Sequence, residues 1–112
     1  MNNAQIDRLM SSVPASTEPR VLRRVQGYAT TARRMDARIA ALRIELNRAL
    51  RAVDDAVPEG RGDEAADAAL ELARELDSLE RIQPRVDSWL RASVGTVSDD
   101  AGPEPFGEGP TA

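Results

Sequence analysis

The sequence contains no cysteine, histidine or lysine, because all fifteen basic residues among its 112 are arginine. Catalysis by a Ser–His or Cys–His pair, Schiff-base chemistry and zinc sites with imidazole or thiolate ligands each lack a required residue. We therefore predict that the chain is not an enzyme and holds no cofactor and no metal. Arginine without lysine, beside abundant alanine, favours a high-GC bacterial or phage genome, and the lack of cysteine is compatible with the cytoplasm.

Aromatic residues and long apolar runs are also scarce. The chain has one tryptophan, one tyrosine and one phenylalanine. It has no run of 18 or more apolar residues, so no membrane span is predicted, and its N-terminus lacks the pattern of a signal peptide. A chain of this size with so few rings has little core of its own.

What the sequence does have is a heptad pattern. From Val21 to Ala56, apolar and small residues are separated alternately by three and four positions. About five such repeats predict a coiled-coil helix over about residues 20–57. The stretch VPEGRG then predicts a turn at 58–62, because proline ends the hydrogen-bond ladder and glycine permits chain reversal.

A second helix is predicted over about residues 63–92, with the same spacing from Ala65 to Leu79. Pro84 lacks an amide hydrogen and crowds the preceding turn, so we expect a kink or a break there. The Gly- and Pro-rich acidic tail, 93–112, is predicted to be disordered.

Residues 1–19 are predicted to be a flexible N-terminal segment. Helical spacing in this segment is consistent with a short amphipathic docking helix. The apolar residues with that spacing are Ile6, Leu9, Met10 and Val13. A frayed terminus is the interpretation that we favour for so short a segment.

The predicted fold is all-α, a long antiparallel helical hairpin or two-helix coiled coil. Residues 20–57 contain nine arginines and four acids, whereas 62–92 contain eight acids and four arginines. This charge separation favours pairing of the two helices within one chain. The heptad residues from Val21 to Ala56 form one seam along the first helix. Leu50 lies beside this seam and makes the apolar stripe wider, and such width is typical of a helix with two neighbours. We expect a four-helix bundle, completed by a second copy or by a helical partner protein.

The candidate interaction surface is the seam with its flanking apolar residues. Tyr28 and Trp89 are expected to close the open end of the hairpin. The full set is Val25, Tyr28, Met35, Ile39, Leu42, Ile44, Leu46, Leu50, Val53, Leu72, Leu76, Leu79, Val86, Trp89 and Leu90.

A second hypothesis is nucleic-acid association through an arginine stripe on the first helix. Its possible phosphate contacts are Arg20, Arg23, Arg24, Arg33, Arg34 and Arg38. Against this role, the net charge is −4 and the acidic second helix competes for the same arginines.

In size and helical pattern the chain resembles small secreted WXG-type proteins, small chaperones of bacterial secretion systems and minor assembly proteins of tailed phages. The Trp-x-Gly turn of the first group is absent: the turn reads VPEGRG and the tryptophan stands in SWLRAS. The sequence as a whole predicts a non-catalytic protein–protein interaction module, acting as a small adaptor, assembly factor or chaperone.

Overall fold

The computed structural model describes residues 1–100, with side chains as far as residue 97, and this part of the chain is all-helical. The helices follow in the order α1 (Asn3–Met10), α2 (Pro19–Ala56), a 3-10 turn (Val57–Glu59) and α3 (Gly62–Asp100). The all-α class predicted from the sequence is confirmed, with three α-helices where two were predicted. Within residues 1–100, no helix combines the length and the apolar character that a bilayer crossing requires.

The chain divides into two compact units. Unit 1 holds α1, the start of α2 and the end of α3, which are residues 1–33 and the described residues from 85 onward. Unit 2 holds residues 34–84, which are the rest of α2, the 3-10 turn and the start of α3. Each long helix therefore contributes to both units.

Unit 2 is a hairpin-like pair of helices with a small apolar core. Ile39 and Leu42 of α2 are buried, together with Leu76 of α3. Partly buried side chains pack against them: Met35, Leu46, Leu72 and Leu79. The residues of the predicted seam thus form the core of this unit, because alternating spacings of three and four keep them on one face of each helix.

Two arginine–glutamate pairs connect α2 to α3 in unit 2. Arg38 lies 2.8 Å from a carboxylate oxygen of Glu75, and Arg43 lies 2.6 Å from one of Glu80. These are cross-helix contacts of the kind that the charge separation predicts. All four side chains are exposed, so each pair contributes less than about 1 kcal/mol and acts mainly on pairing and register.

The turn of unit 2 is a Schellman motif. The N–H of Gly60 donates to the carbonyl of Val57 at 3.1 Å, and the N–H of Arg61 donates to the carbonyl of Ala56 at 3.0 Å. Gly60 has φ of 78°, a left-handed conformation that a residue with a side chain disfavours. The helix ends at Ala56, and Val57 belongs to the turn.

The first helix of unit 1, α1, lies within the segment that the sequence predicts to be flexible. The Asn2 side chain accepts a hydrogen bond from the N–H of Gln5, and the Gln5 side chain accepts one from the N–H of Asn2, both at 2.8 Å. This reciprocal pair is a capping box, which satisfies two amide groups at the start of the helix.

Contacts with both long helices hold α1 in place. Ile6 is fully buried, and the Arg33 guanidinium on α2 pairs with Asp7. The segment that the sequence predicts to be a frayed terminus therefore contains a docked helix. The physical reason is that contacts distant in sequence stabilise a helix too short to be stable alone.

Helix α3 runs through Pro84 without a break and continues to Asp100, beyond the predicted end at residue 92. Residues 93–100, which the sequence assigned to the disordered tail, are helical. Val94 and Val97 continue the helical spacing of Leu90 and are buried in unit 1, so packing accounts for the extension. The rest of the predicted tail, 101–112, lies outside the described residues.

Candidate functional site

An apolar groove lies between α2 and α3 in unit 2. It has a volume of about 380 Å³ and opens to solvent. Three side chains of α2 and four of α3 line it: Leu46, Leu50, Val53, Ala66, Ala69, Leu70 and Ala73. Three of the four lining residues of α3 are alanines, whereas those of α2 are leucine and valine. The groove contains no catalytic group and offers only apolar contact.

Two leucines of this groove are unusually exposed for their type. Leu50 of α2 is 49% exposed, and Leu70 of α3 is 52% exposed. A single exposed leucine needs no explanation, but these two line one continuous apolar groove and together form a small exposed apolar patch.

The width of the apolar stripe on α2 explains why the groove is open. Ala29 and Leu50 occupy the same heptad position, beside the seam, in unit 1 and unit 2 respectively. Ala29 is 5% exposed in unit 1, where three helices meet, whereas Leu50 is half exposed in unit 2, where two helices meet. The same heptad position is thus buried at Ala29 in unit 1 and half exposed at Leu50 in unit 2.

Acidic residues are the more frequent charged neighbours of the residues that line the groove. Residues three or four positions apart on a helix are surface neighbours. On that basis four of the lining residues each have an exposed aspartate beside them. The pairs are Leu50 with Asp54, Ala66 with Asp63, Leu70 with Asp67 and Ala73 with Asp77. By the same rule two arginines neighbour lining residues, Arg43 beside Leu46 and Arg74 beside Leu70. Arg43 is paired with Glu80, and Asp77 forms an ion pair with Arg81 at 3.1 Å. The rim of the groove is therefore mainly negative.

The structure distributes the predicted interaction residues over three environments. Those that form the two cores are Val25, Met35, Ile39, Leu42, Leu72, Leu76, Leu79, Val86 and Leu90. Those that line the groove are Leu46, Leu50 and Val53. Ile44 is 55% exposed and does not line the groove.

The open end of the hairpin differs in detail from the prediction. Leu90 is fully buried in unit 1, while Trp89 is half exposed and Tyr28 is partly buried. Helical spacing after Val86 allows either Trp89 or Leu90 to continue the buried row, and the structure buries Val86 and Leu90. The tryptophan therefore lies mainly toward solvent.

Sequence reasoning missed the α3 side of the groove. The heptad series of α3 includes Ala65, Ala69 and Leu72. Each of these is followed directly by another apolar residue, namely Ala66, Leu70 and Ala73. This second apolar row was the signal available in the sequence. It also missed Asp87, which is buried in unit 1 with only 7% exposure. The available signal was the position of Asp87, three residues before Leu90, which places the carboxylate on the apolar face of α3.

The six predicted phosphate-binding arginines do not form one free cluster. Arg33 and Arg38 pair with acids on other helices, and Arg20 lies 3.7 Å from Glu18. The six are also divided between the two units, with Arg34 and Arg38 in unit 2. This arrangement gives no specific support to a role in nucleic-acid binding.

A second hollow, of about 300 Å³, lies beside α1 in unit 1. Arg8 and Arg91 are among its lining residues, together with polar and apolar side chains of α1. It lacks the continuous apolar lining of the groove, so the groove is the stronger candidate for protein binding.

The acidic residues of α3 do not suggest a metal site. Among the side chains that the structure describes, residues 1–97, no three acidic groups converge as ligands for a cation. Comparisons with protein-family models, with curated proteins and with solved structures find no match to this chain.

Proposed function

We propose that this chain is a non-catalytic protein–protein interaction module that acts through the groove of unit 2. It works as a small adaptor, assembly factor or chaperone. The observation that supports this proposal most directly is the pair of half-exposed leucines, Leu50 and Leu70, in one apolar groove. Nothing within the described part of the chain covers them.

The energetic argument is that apolar surface left in water is a source of binding free energy. Complete burial of an exposed leucine side chain contributes about 1.5–3 kcal/mol. Because Leu50 and Leu70 are already about half buried, covering each of them contributes about half of that, and the two together anchor a partner. The absence of histidine, lysine and cysteine from the sequence is consistent with this non-catalytic role.

Site-specific photo-crosslinking in cells that naturally express the chain tests the proposal. A benzophenone amino acid replaces Leu50 in one variant and Ile44 in a matched control, because both side chains are about half exposed on α2 and only Leu50 lines the groove. We expect a discrete crosslinked protein from position 50 and none from position 44. Equal products from both positions, or none from either, would contradict the proposal.

A further inference from the structure

We infer that the occupant of the groove is a cationic amphipathic helix from a different protein. This inference rests on the proposed function and specifies the chemistry of the partner. Two features of unit 2 support it: the shape of the groove between two helices and the sign of the charge around it.

The shape of the groove fits a helix. On α2 the lining runs from Leu46 to Val53, which is about 10 Å along the helix axis at about 1.5 Å per residue. That length matches two turns of a third helix, with apolar anchors at positions i, i+3 or i+4, and i+7. An extended strand has no sheet edge to join here, because unit 2 contains only helices within residues 34–84.

Unit 1 shows that a short helix suffices as a third neighbour. The eight residues of α1 include one fully buried anchor, Ile6, and two ion pairs flank it, one from Asp7 within the helix and one from Met1 just before it. Asp7 contacts Arg33 of α2, and the amino group of Met1 contacts Asp87 of α3. A partner helix in unit 2 needs the same elements: an apolar face and flanking charges opposite in sign to those of the groove.

The charge around the groove indicates a basic partner. Four aspartates neighbour the lining residues, and Asp54, Asp63 and Asp67 form no ion pair within the part of the chain that the structure describes. In the α3 part of unit 2, residues 62–84, seven acids accompany two arginines. Arginine or lysine on the flanks of the incoming helix would pair with these acids and speed association.

The same charges disfavour a second copy of this chain as the occupant. Unit 2 contains twelve acidic residues and eight arginines, so it carries a net negative charge. Apposition of two such surfaces brings like charges together, and like-charge apposition across an interface is strongly unfavourable. A chemically different, basic partner avoids this repulsion.

Two designed peptides test the inference on the full-length chain. Each is a capped, fluorescein-labelled amphipathic helix of about 15 residues with the same leucine face; lysine flanks that face in one peptide and glutamate in the other. Binding is followed by fluorescence anisotropy at low and high salt. We expect the lysine peptide to bind at least about tenfold more tightly, with the difference shrinking as salt screens the charges.

Three variants locate the binding site. The double variant Leu50→Gln/Leu70→Gln should weaken binding of the lysine peptide by about tenfold or more, because its anchors are lost. Ile44→Gln, an equally exposed position outside the groove, should leave binding unchanged. Asp63→Asn/Asp67→Asn should reduce the preference for lysine over glutamate. Circular dichroism checks that each variant keeps its helical content.

Each contrary result has a distinct meaning. Equal binding of both peptides would overturn the basic character of the partner, and binding that survives the double leucine variant would overturn the site. Absence of binding by either peptide would overturn the helical occupant. A dimer in sedimentation velocity that Leu50→Gln/Leu70→Gln dissociates would identify a second copy instead. That result overturns this inference but leaves the proposed interaction role standing, because the crosslinking at Leu50 tests that role separately.

Discussion

The amino group of Met1 lies 2.6 Å from Oδ2 of Asp87, and this ion pair connects the start of α1 to α3 inside unit 1. Both partners are largely buried. Asp87 is a charged side chain in a unit whose other buried residues are apolar. A buried pair contributes little compared with two well-packed apolar groups, but removal of one partner leaves an uncompensated charge.

Replacement of Asp87 by asparagine should therefore destabilise the protein by about 3 kcal/mol, since the ammonium group loses its counterion. Asp77→Asn is the matched control on the same helix, because Asp77 is exposed and pairs with Arg81 one turn away. We expect that control to lower stability by less than about 0.5 kcal/mol. Urea unfolding followed by circular dichroism measures both. Equal midpoints for the two variants would show that the Met1–Asp87 contact makes no net contribution.

The docking of α1 has a single buried apolar anchor. Ile6 is the buried residue of this helix, and an isolated helix of eight residues is not stable in water. Ile6→Ala removes about 2–5 kcal/mol of packing, which should undock α1. Amide hydrogen exchange should then show loss of protection at residues 3–10, while amides in unit 2 keep theirs.

Ala4→Ser provides the control for this experiment, because Ala4 is exposed on the same helix. Protection at residues 3–10 should change little in that variant. If protection persists in Ile6→Ala as well, the capping box and the ion pairs of Asp7 and Met1 hold α1 without its apolar anchor.

Local sequence signals predicted the elements whose structure is decided locally. The heptad spacing predicted both long helices, and Pro58 with Gly60 predicted the turn between them. Periodicity and turn chemistry are properties of a few neighbouring residues, so both can be read from the sequence. The docking of α1 depends on Arg33 and Asp87, which are far away in the sequence, so the short N-terminal pattern alone could not establish it.

The candidate site was only partly predictable for a related reason. Leu50 was recognised because it widens the stripe on α2, and the structure places it at the groove. Leu70 lies outside the heptad series of α3. Its position in the groove follows from the packing of α3 against α2, which the sequence of α3 alone does not specify. Which side of a wide stripe stays exposed depends on tertiary neighbours, which the spacing of apolar residues along one helix does not specify.

Two glycines should respond in opposite directions to the same substitution. Gly60 is left-handed, with φ of 78°, and a Cβ added there meets no atom within 4 Å. Gly60→Ala should therefore destabilise by about 1 kcal/mol through backbone strain alone. Gly27 lies in the interior of α2, and an added Cβ also meets nothing. Gly27→Ala should stabilise by about 0.5–1 kcal/mol, because alanine favours the helix.

Thermal unfolding of the two glycine variants beside the unsubstituted chain measures both effects. Shifts of the same sign would contradict the prediction. A neutral Gly60→Ala variant would indicate that the turn accepts a different backbone conformation from the Schellman motif.

Pro84 interrupts the hydrogen-bond ladder of α3 without ending the helix. It is exposed, and it lies at the last position of unit 2, where that unit meets the second part of unit 1 along the chain. A proline in a helix interior leaves the carbonyl four residues earlier, that of Glu80, without its usual N–H donor and crowds it. Pro84→Ala should restore that donor and raise stability by about 1–3 kcal/mol, since no buried contact of the proline ring is lost.

Ser78→Ala is the matched control, because Ser78 is exposed within the same helix and its change affects only helix propensity, by about 0.5 kcal/mol. Urea unfolding compares the two variants, and hydrogen exchange at residues 80–88 shows whether the gain is local to the restored bond. If Pro84→Ala leaves stability unchanged or lowers it, the conformation that proline imposes on α3 must itself favour the packing of Val86 and Leu90, and the cost of the missing hydrogen bond is offset in unit 1.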